Sequence, residues 1–143
     1  MKYYRLTYIF LLALYACDFS FGARIRNETD QSIEVAITYD KQVLDSVYQG
    51  RDYSRFVPEF TTMPASYNKY YDSANQRIVF TLPPHEAVLV DHGPTGYSVD
   101  KPDLGLFYSI KIRSSNREIT YPAKSLDTLF RKVRRNEFEL LVK

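Results

Sequence analysis

From Ser32 to Asp40 the chain reads SIEVAITYD, with its larger apolar residues at every second position. Ile33, Val35, Ile37 and Tyr39 share one face, and Ser32, Glu34, Ala36 and Thr38 share the other. Successive side chains of a strand point to opposite faces, so this pattern predicts a half-buried strand. RIVFTL repeats it with Ile78, Phe80 and Leu82 inward, and Pro83–Pro84 ends it, because proline cannot donate to a ladder. ARIRNETDQ reads as a short strand and a polar turn, and EAVLV as a short, fully apolar strand. In LGLFYSIKIRS the residues Leu104, Leu106, Tyr108, Ile110 and Ile112 fall on one face, with Lys111 and Arg113 on the other. SSNR then connects as a hairpin into REITY, and EFELLVK closes the series with Phe138, Leu140 and Val142 together. Six to eight short strands joined by turns predict an all-β fold, an antiparallel β-sandwich of the Ig-like kind.

Three segments depart from this rhythm. SLDTLFRKV places Leu126, Leu129, Phe130 and Val133 at helical spacing, which predicts a short helix near 125–134 with Ser125 as its cap. Leu126, Thr128 and Phe130 also alternate, as in a strand. Residues 49–76 and 91–103 carry no clear period. Loops longer than about 12–15 residues are uncommon in a compact domain. The first of these is rich in rings (Tyr53, Phe56, Phe60, Tyr67, Tyr70 and Tyr71), a composition that opposes disorder and predicts an irregular strand or an ordered loop.

The beginning of the chain follows a different logic. The basic leader MKYYR precedes an apolar run of 11 residues, LTYIFLLALYA. A spanning helix needs about 20 apolar residues, so the run matches the central segment of a secretory signal peptide. LYAC then resembles the bacterial lipobox, with Leu14 at −3, Ala16 at −1 and Cys17 at +1; Tyr15 stands where Ala or Ser is usual. The resemblance implies a diacylglyceryl group on the Cys17 sulfur, cleavage before Cys17 and acylation of the new amino terminus. One acyl chain holds a protein marginally, at about 0.8 kcal/mol per buried methylene, whereas several hold it stably. The alternatives for Cys17 are a place in an ordinary signal peptide or a buried free thiol. The expected organisation is a helical signal segment at 1–16, a lipidated cysteine and short tether at 17–23, and a sandwich at 24–143.

Charge and composition sharpen this picture. The chain has 143 residues and carries 19 Lys and Arg against 17 Asp and Glu, but Lys2 and Arg5 belong to the leader, leaving a balanced mature chain. A nucleic-acid partner calls for a net basic face, so none is expected. A single cysteine leaves no intramolecular disulfide and no multi-cysteine zinc site. The remaining charge is uneven: Lys111 to Lys143 holds nine basic and four acidic residues.

An Ile-x-Asn-x-Thr opening strand (Ile25, Asn27, Thr29), a Leu-Pro-Pro-x-Glu turn (Leu82 to Glu86) and a Tyr-Ser-Ile-Lys-Ile strand (Tyr108 to Ile112) accompany the lipobox. Together they resemble the small single-domain lipoproteins of Bacteroidota-type envelopes. The resemblance implies a β-sandwich held at the outer membrane, without an assigned activity. Asp18 is the sole acidic residue directly after Cys17, which favours the periplasmic face over surface export.

Candidate chemistry is sparse. His85 and His92, with Glu86 and Asp91, are the metal-ligating types in PPHEAVLVDHG. On a regular strand Glu86 and His92 lie about 20 Å apart, at ~3.3 Å per residue, whereas zinc ligands sit ~2 Å from the ion. No metal or other cofactor is expected. No nucleophile elbow appears, and no catalytic residue is assigned. The basic cluster Arg131, Arg134 and Arg135 is a candidate contact for anionic headgroups or an acidic polymer. Tyr53, Tyr67, Tyr70 and Tyr71 are candidates for a recognition face. Asp-Ser/Thr-apolar triplets mark Ser46, Ser73 and Thr128 as candidate acceptors for Bacteroidota-type periplasmic O-glycosylation. The sequon Asn27–Thr29 is discounted, since a bacterial lipoprotein rarely meets an enzyme for it. The expected role is a lipid-anchored binding, accessory or structural module contacting an envelope protein or glycan. The alternative is a small envelope enzyme or enzyme inhibitor acting on a glycan or peptide.

Overall fold

The computed structural model describes residues 20–49, 63–95 and 98–143. Residues 1–16, expected to be a signal segment, and Cys17 and Tyr53 lie outside the described residues. The strands are β1 (Ser20–Asn27), β2 (Ile33–Tyr39), β3 (Tyr70–Asp72), β4 (Arg77–Leu82), β5 (Ala87–Pro94), β6 (Phe107–Arg113), β7 (Glu118–Pro122), β8 (Arg131–Arg134) and β9 (Glu137–Val142). Helix α1 spans Lys41–Tyr48, helix α2 spans Ala123–Leu129, and a 3-10 turn covers Ala65–Tyr67. One sheet has the order β5-β1-β9-β8 and the other β3-β4-β2-β6-β7. Their inner faces merge into one core containing Ile25, Ile37, Phe80, Ile110 and Phe138.

The fold is the expected all-β, sandwich-like one, with differences of detail. Nine strands are present among the described residues rather than six to eight, because β3 and β8 are too short to show alternation. The β1–β9 pair is parallel, with Arg24 opposite Glu139 and Ile25 opposite Leu140. The first strand begins at Ser20, inside the segment expected to be tether. Residues 91–94, expected in a loop, continue β5.

The inward sets of β2 and β4 are buried as the alternation predicts. The exception lies on β6, where Tyr108 is 62% exposed. The β2–β6 register pairs Thr38 with Ser109 but Tyr39 with Phe107, so Tyr108 is the extra residue of a bulge. The bulge resets the alternation, and Phe107 enters the core instead. Its ring meets Tyr39 edge-on, with centroids 5.4 Å apart.

Both helices differ from expectation. Asp40 caps α1, its carboxylate accepting from the backbone amides of Gln42 (2.9 Å) and Val43 (3.2 Å), and Leu44 is fully buried. The sequence carried this cap and the apolar positions Val43, Leu44, Val47 and Tyr48, but two turns is too short a window to stand out. Helix α2 starts earlier than expected and stops at Leu129. Pro122 occupies its N-cap, and the Ser125 hydroxyl donates to the Pro122 carbonyl (2.8 Å) rather than capping. Phe130 turns extended and stays buried, and Val133 is 46% exposed on β8. Pairing of Arg131–Arg134 with β9 supplies a ladder that a third helical turn would forgo.

Asn27 joins the sheets. It is fully buried at the point where the chain leaves β1 for β2. Its side-chain nitrogen donates to the carbonyls of Gln31 (2.7 Å), Pro83 (3.0 Å) and Leu82 (3.2 Å). Its side-chain oxygen accepts from the Thr29 hydroxyl (2.7 Å) and the Thr29 amide (3.0 Å). The nitrogen that a glycan would need is therefore enclosed and engaged, so the Asn27 sequon is closed in the folded domain.

Candidate functional site

The short strand β8 forms one edge of the four-stranded sheet, and Arg131, Lys132, Val133 and Arg134 are all exposed. Its register places Arg131 opposite Glu139 and Arg134 opposite Glu137, with Val133 bulged between. Read along the sequence, Glu137 and Glu139 are the natural counter-ions of this cluster. The tertiary structure assigns them elsewhere. The parallel β1–β9 pairing brings Arg24 to Glu137 (3.3 Å) and Arg26 to Glu139, where Nε and Nη2 take both carboxylate oxygens (3.0 and 2.9 Å). Two-pronged guanidinium–carboxylate pairs are stronger and more directional than single contacts.

Glu139 is 8% exposed despite its charge. The hydrogen bond from Arg26 holds its carboxyl below the ordinary range, helped by the charges of Arg26, Arg24 and Arg134 and opposed by burial. Lys132 turns away from the sheet and donates to the Val99 carbonyl (2.7 Å) and to Asp100 (3.2 Å). Arg131 and Arg134 are left without an ion pair among the described residues. Arg135 sits beside them in the β8–β9 turn. The outer face of this sheet thus carries arginines at 24, 26, 131 and 134 around two carboxylates. The contribution of Arg24 and Arg26 was not visible in the sequence, since they lie 113 residues from their partners.

Among the described residues, the candidate tyrosines Tyr67, Tyr70 and Tyr71 do not gather on one surface. Tyr67 is buried in the core and its hydroxyl donates to Glu86 (3.5 Å). Burial, and then the Glu86 charge, push that hydroxyl above its ordinary pKa. Tyr70 and Tyr71 lie on opposite faces of β3, opposite Val79 and Ile78 respectively. Tyr71 packs against the core and Tyr70 is 55% exposed. The acceptor candidates Ser46, Ser73 and Thr128 are all exposed, on α1, in the β3–β4 turn and on α2.

His85 occupies the turn before β5 with φ 58°, its Nε2 3.1 Å from Asp30, while His92 lies on the β5 strand. Among the described residues, no three His, Cys, Asp or Glu side chains gather as a metal site requires.

A second feature lies at the opposite end of the chemistry. A cleft of about 370 Å³ is lined by Phe21, Val43, Val47 and Leu106 together with Asp91 and Asp103. Burial pushes the Asp91 carboxyl up to about 7, the Asp103 charge adds to this, and a hydrogen bond from the His92 amide (2.8 Å) opposes it. The apolar run EAVLV ends at Val90, so hydropathy alone gives no sign that the strand carries Asp91 into this cleft.

Comparison with family models, with curated proteins and with solved structures finds no match for the chain. Among the described residues, no helix is long and apolar enough to cross a membrane.

Proposed function

We propose that this protein is a non-catalytic binding module of the bacterial outer envelope, anchored by lipid on Cys17, with the β8 edge as its contact surface for an acidic envelope protein or glycan. The observation that supports the contact surface is that Arg131 and Arg134 make no ion pair among the described residues, the carboxylates opposite them in register being held by β1. Cations near an acidic surface contribute about 1 kcal/mol each. The support for the anchor is the lipobox-like LYAC, with β1 beginning at Ser20, so the domain stands close to its membrane. The single acidic residue after Cys17 favours the periplasmic face.

Two measurements test the two halves. Cys17→Ala is expected to move the protein from the membrane pellet to the soluble fraction; a variant that stays in the pellet overturns the anchor. Crosslinking in intact cells followed by mass spectrometry is expected to capture an acidic partner, and Arg131→Gln/Arg134→Gln is expected to lose it. An unchanged crosslink in that variant removes β8 from the interface. Intact mass of the mature protein reads the glycosylation state: added hexose is expected at Ser46, Ser73 or Thr128, and an unmodified mass eliminates all of them as acceptors.

A second reading, a small envelope enzyme acting on a glycan, draws on the Asp91–Asp103 cleft. A buried carboxyl beside a second carboxylate in a cleft is a recurrent place for a general acid. In that reading Asp91 donates the proton, and Asp91→Asn abolishes hydrolysis of envelope glycan. Retained hydrolysis in that variant discards it.

A further inference from the structure

We infer that a pocket between α2, β7 and the last residues of β9 binds a small hydroxyl-bearing oxyanion, the chemistry shared by a glycerol-phosphate headgroup and an acidic or phosphorylated monosaccharide. The pocket encloses about 210 Å³. Sites for drug-sized ligands run from about 300 to 1,000 Å³, so this one suits a single sugar or headgroup. It opens on the side of the sandwich where the chain passes from β7 through α2 into β8.

The lining is specific in its chemistry. Arg131 and Lys143 supply two cations, and neither makes an ion pair among the described residues. The carboxylate opposite Arg131 in register, Glu139, is engaged by Arg26 (2.9 Å), and Asp127, next to Thr128 in the chain, by Lys101 (2.6 Å). The pocket therefore brings together a guanidinium that makes no ion pair and an ammonium. A guanidinium grips a phosphate or carboxylate by two parallel N–H donors, and an ammonium adds a point charge.

The hydroxyls argue for more than a bare anion. Thr128 and Tyr121 line the same pocket. The Thr128 hydroxyl spends its proton on the Ser125 carbonyl (2.8 Å), so any further bond it makes is as an acceptor. Lone pairs repel an oxyanion but accept from a ligand hydroxyl. Leu129, Leu140 and Leu141 provide an apolar wall for the carbon skeleton that carries such hydroxyls. An inorganic phosphate would satisfy the cations and leave the rest idle.

The inference deepens the reading of β8 as a contact edge and rests on it for the free charge of Arg131. Its test uses the full chain, purified in non-ionic detergent, from an expression host in which its intact mass shows no added hexose. Titrations with glycerol 1-phosphate, glucuronate and inorganic phosphate are followed by chemical-shift changes. Saturable binding is expected, tighter for the hydroxylated anions than for phosphate. Arg131→Gln/Lys143→Gln is expected to weaken it by about ten-fold or more, and the charge-matched Arg117→Gln/Lys124→Gln by no more than about two-fold. All of these side chains are exposed, so melting temperatures should match and show that the fold is intact. Tighter binding to micelles doped with phosphatidylglycerol than to the soluble anions assigns a lipid source, and the reverse assigns a soluble glycan. Absence of binding, equal affinity for bare phosphate, or equal loss in both double variants overturns the pocket. If the pocket fails while Arg131→Gln/Arg134→Gln still loses its crosslinked partner, the contact-edge reading stands alone.

Discussion

Replacing Asn27 with alanine is expected to lower the unfolding free energy by about 3–5 kcal/mol, the largest effect of any single polar substitution considered for this domain. The side chain is fully buried and links three carbonyls, from Gln31, Leu82 and Pro83, to the amide and hydroxyl of Thr29. Each buried polar group left without a partner costs about 1–3 kcal/mol. Alanine removes every one of these bonds at once, at the crossing between the two sheets. Domains of this size have ~5–15 kcal/mol in total, so urea denaturation will show the loss directly. A change below about 1 kcal/mol would mean that the abandoned carbonyls find other partners.

Asn27→Asp refines the test, because it keeps the shape and the acceptor but removes the amide donors. A buried carboxylate facing three carbonyls holds its proton more tightly than in the unfolded chain. Its folded pKa is raised, so this variant should lose further stability as pH rises through that value. It should recover part of the loss in acid, where the protonated form regains one donor. A pH-independent deficit would show that the carboxyl is solvated.

Asp91→Asn is expected to act in the opposite direction. Burial holds the Asp91 carboxyl at about 7 in the folded protein, against an ordinary value of 3.8. The folded state then binds more protons than the unfolded one between these values. The wild type therefore loses stability as pH rises from about 4 to 7, and the loss is complete above the folded pKa. A shift of this size corresponds at most to about 4 kcal/mol, at ~1.4 kcal/mol per unit. The residue is partly open to the cleft, and solvent screening reduces the expected gain in the variant to roughly 2 kcal/mol at pH 8. Asparagine keeps the oxygen that accepts from the His92 amide. Thermal melts should show the variant several degrees above wild type at pH 8 and level with it near pH 4. Equal melting temperatures at pH 8 would place the wild-type carboxyl in an ordinary, solvated state. The same variant bears on the enzymatic reading: a gain in stability at the expense of glycan hydrolysis is the signature of a functional carboxyl.

The strands were legible in the sequence wherever a run was long enough to repeat its period. Ile33, Val35 and Ile37, and Ile78, Phe80 and Leu82, are buried as their alternation predicts. The same reasoning placed Tyr108 inward, and it is exposed, because a bulge against β2 shifts the phase by one residue. Alternation within one strand carries no information about the register of its neighbour. Helix α2 was foreseen in the wrong frame for a related reason. Leu126 and Phe130 are buried as a helix face would require, but Val133 is not. The stretch after Phe130 gains more from the β9 ladder than from its own helical spacing.

Local pattern by itself thus determined the β content, the inward sets of the longer strands and the basic cluster at Arg131–Arg135. These depend on period and composition, which a chain carries wherever it folds. The tertiary structure alone decided which of those charges stay free. Glu137 and Glu139 follow the cluster directly in sequence, yet the parallel pairing of the first and last strands gives them to Arg24 and Arg26. Coulombic attraction and hydrogen bonding depend on distance in space, and here partners 113 residues apart in the chain are in contact.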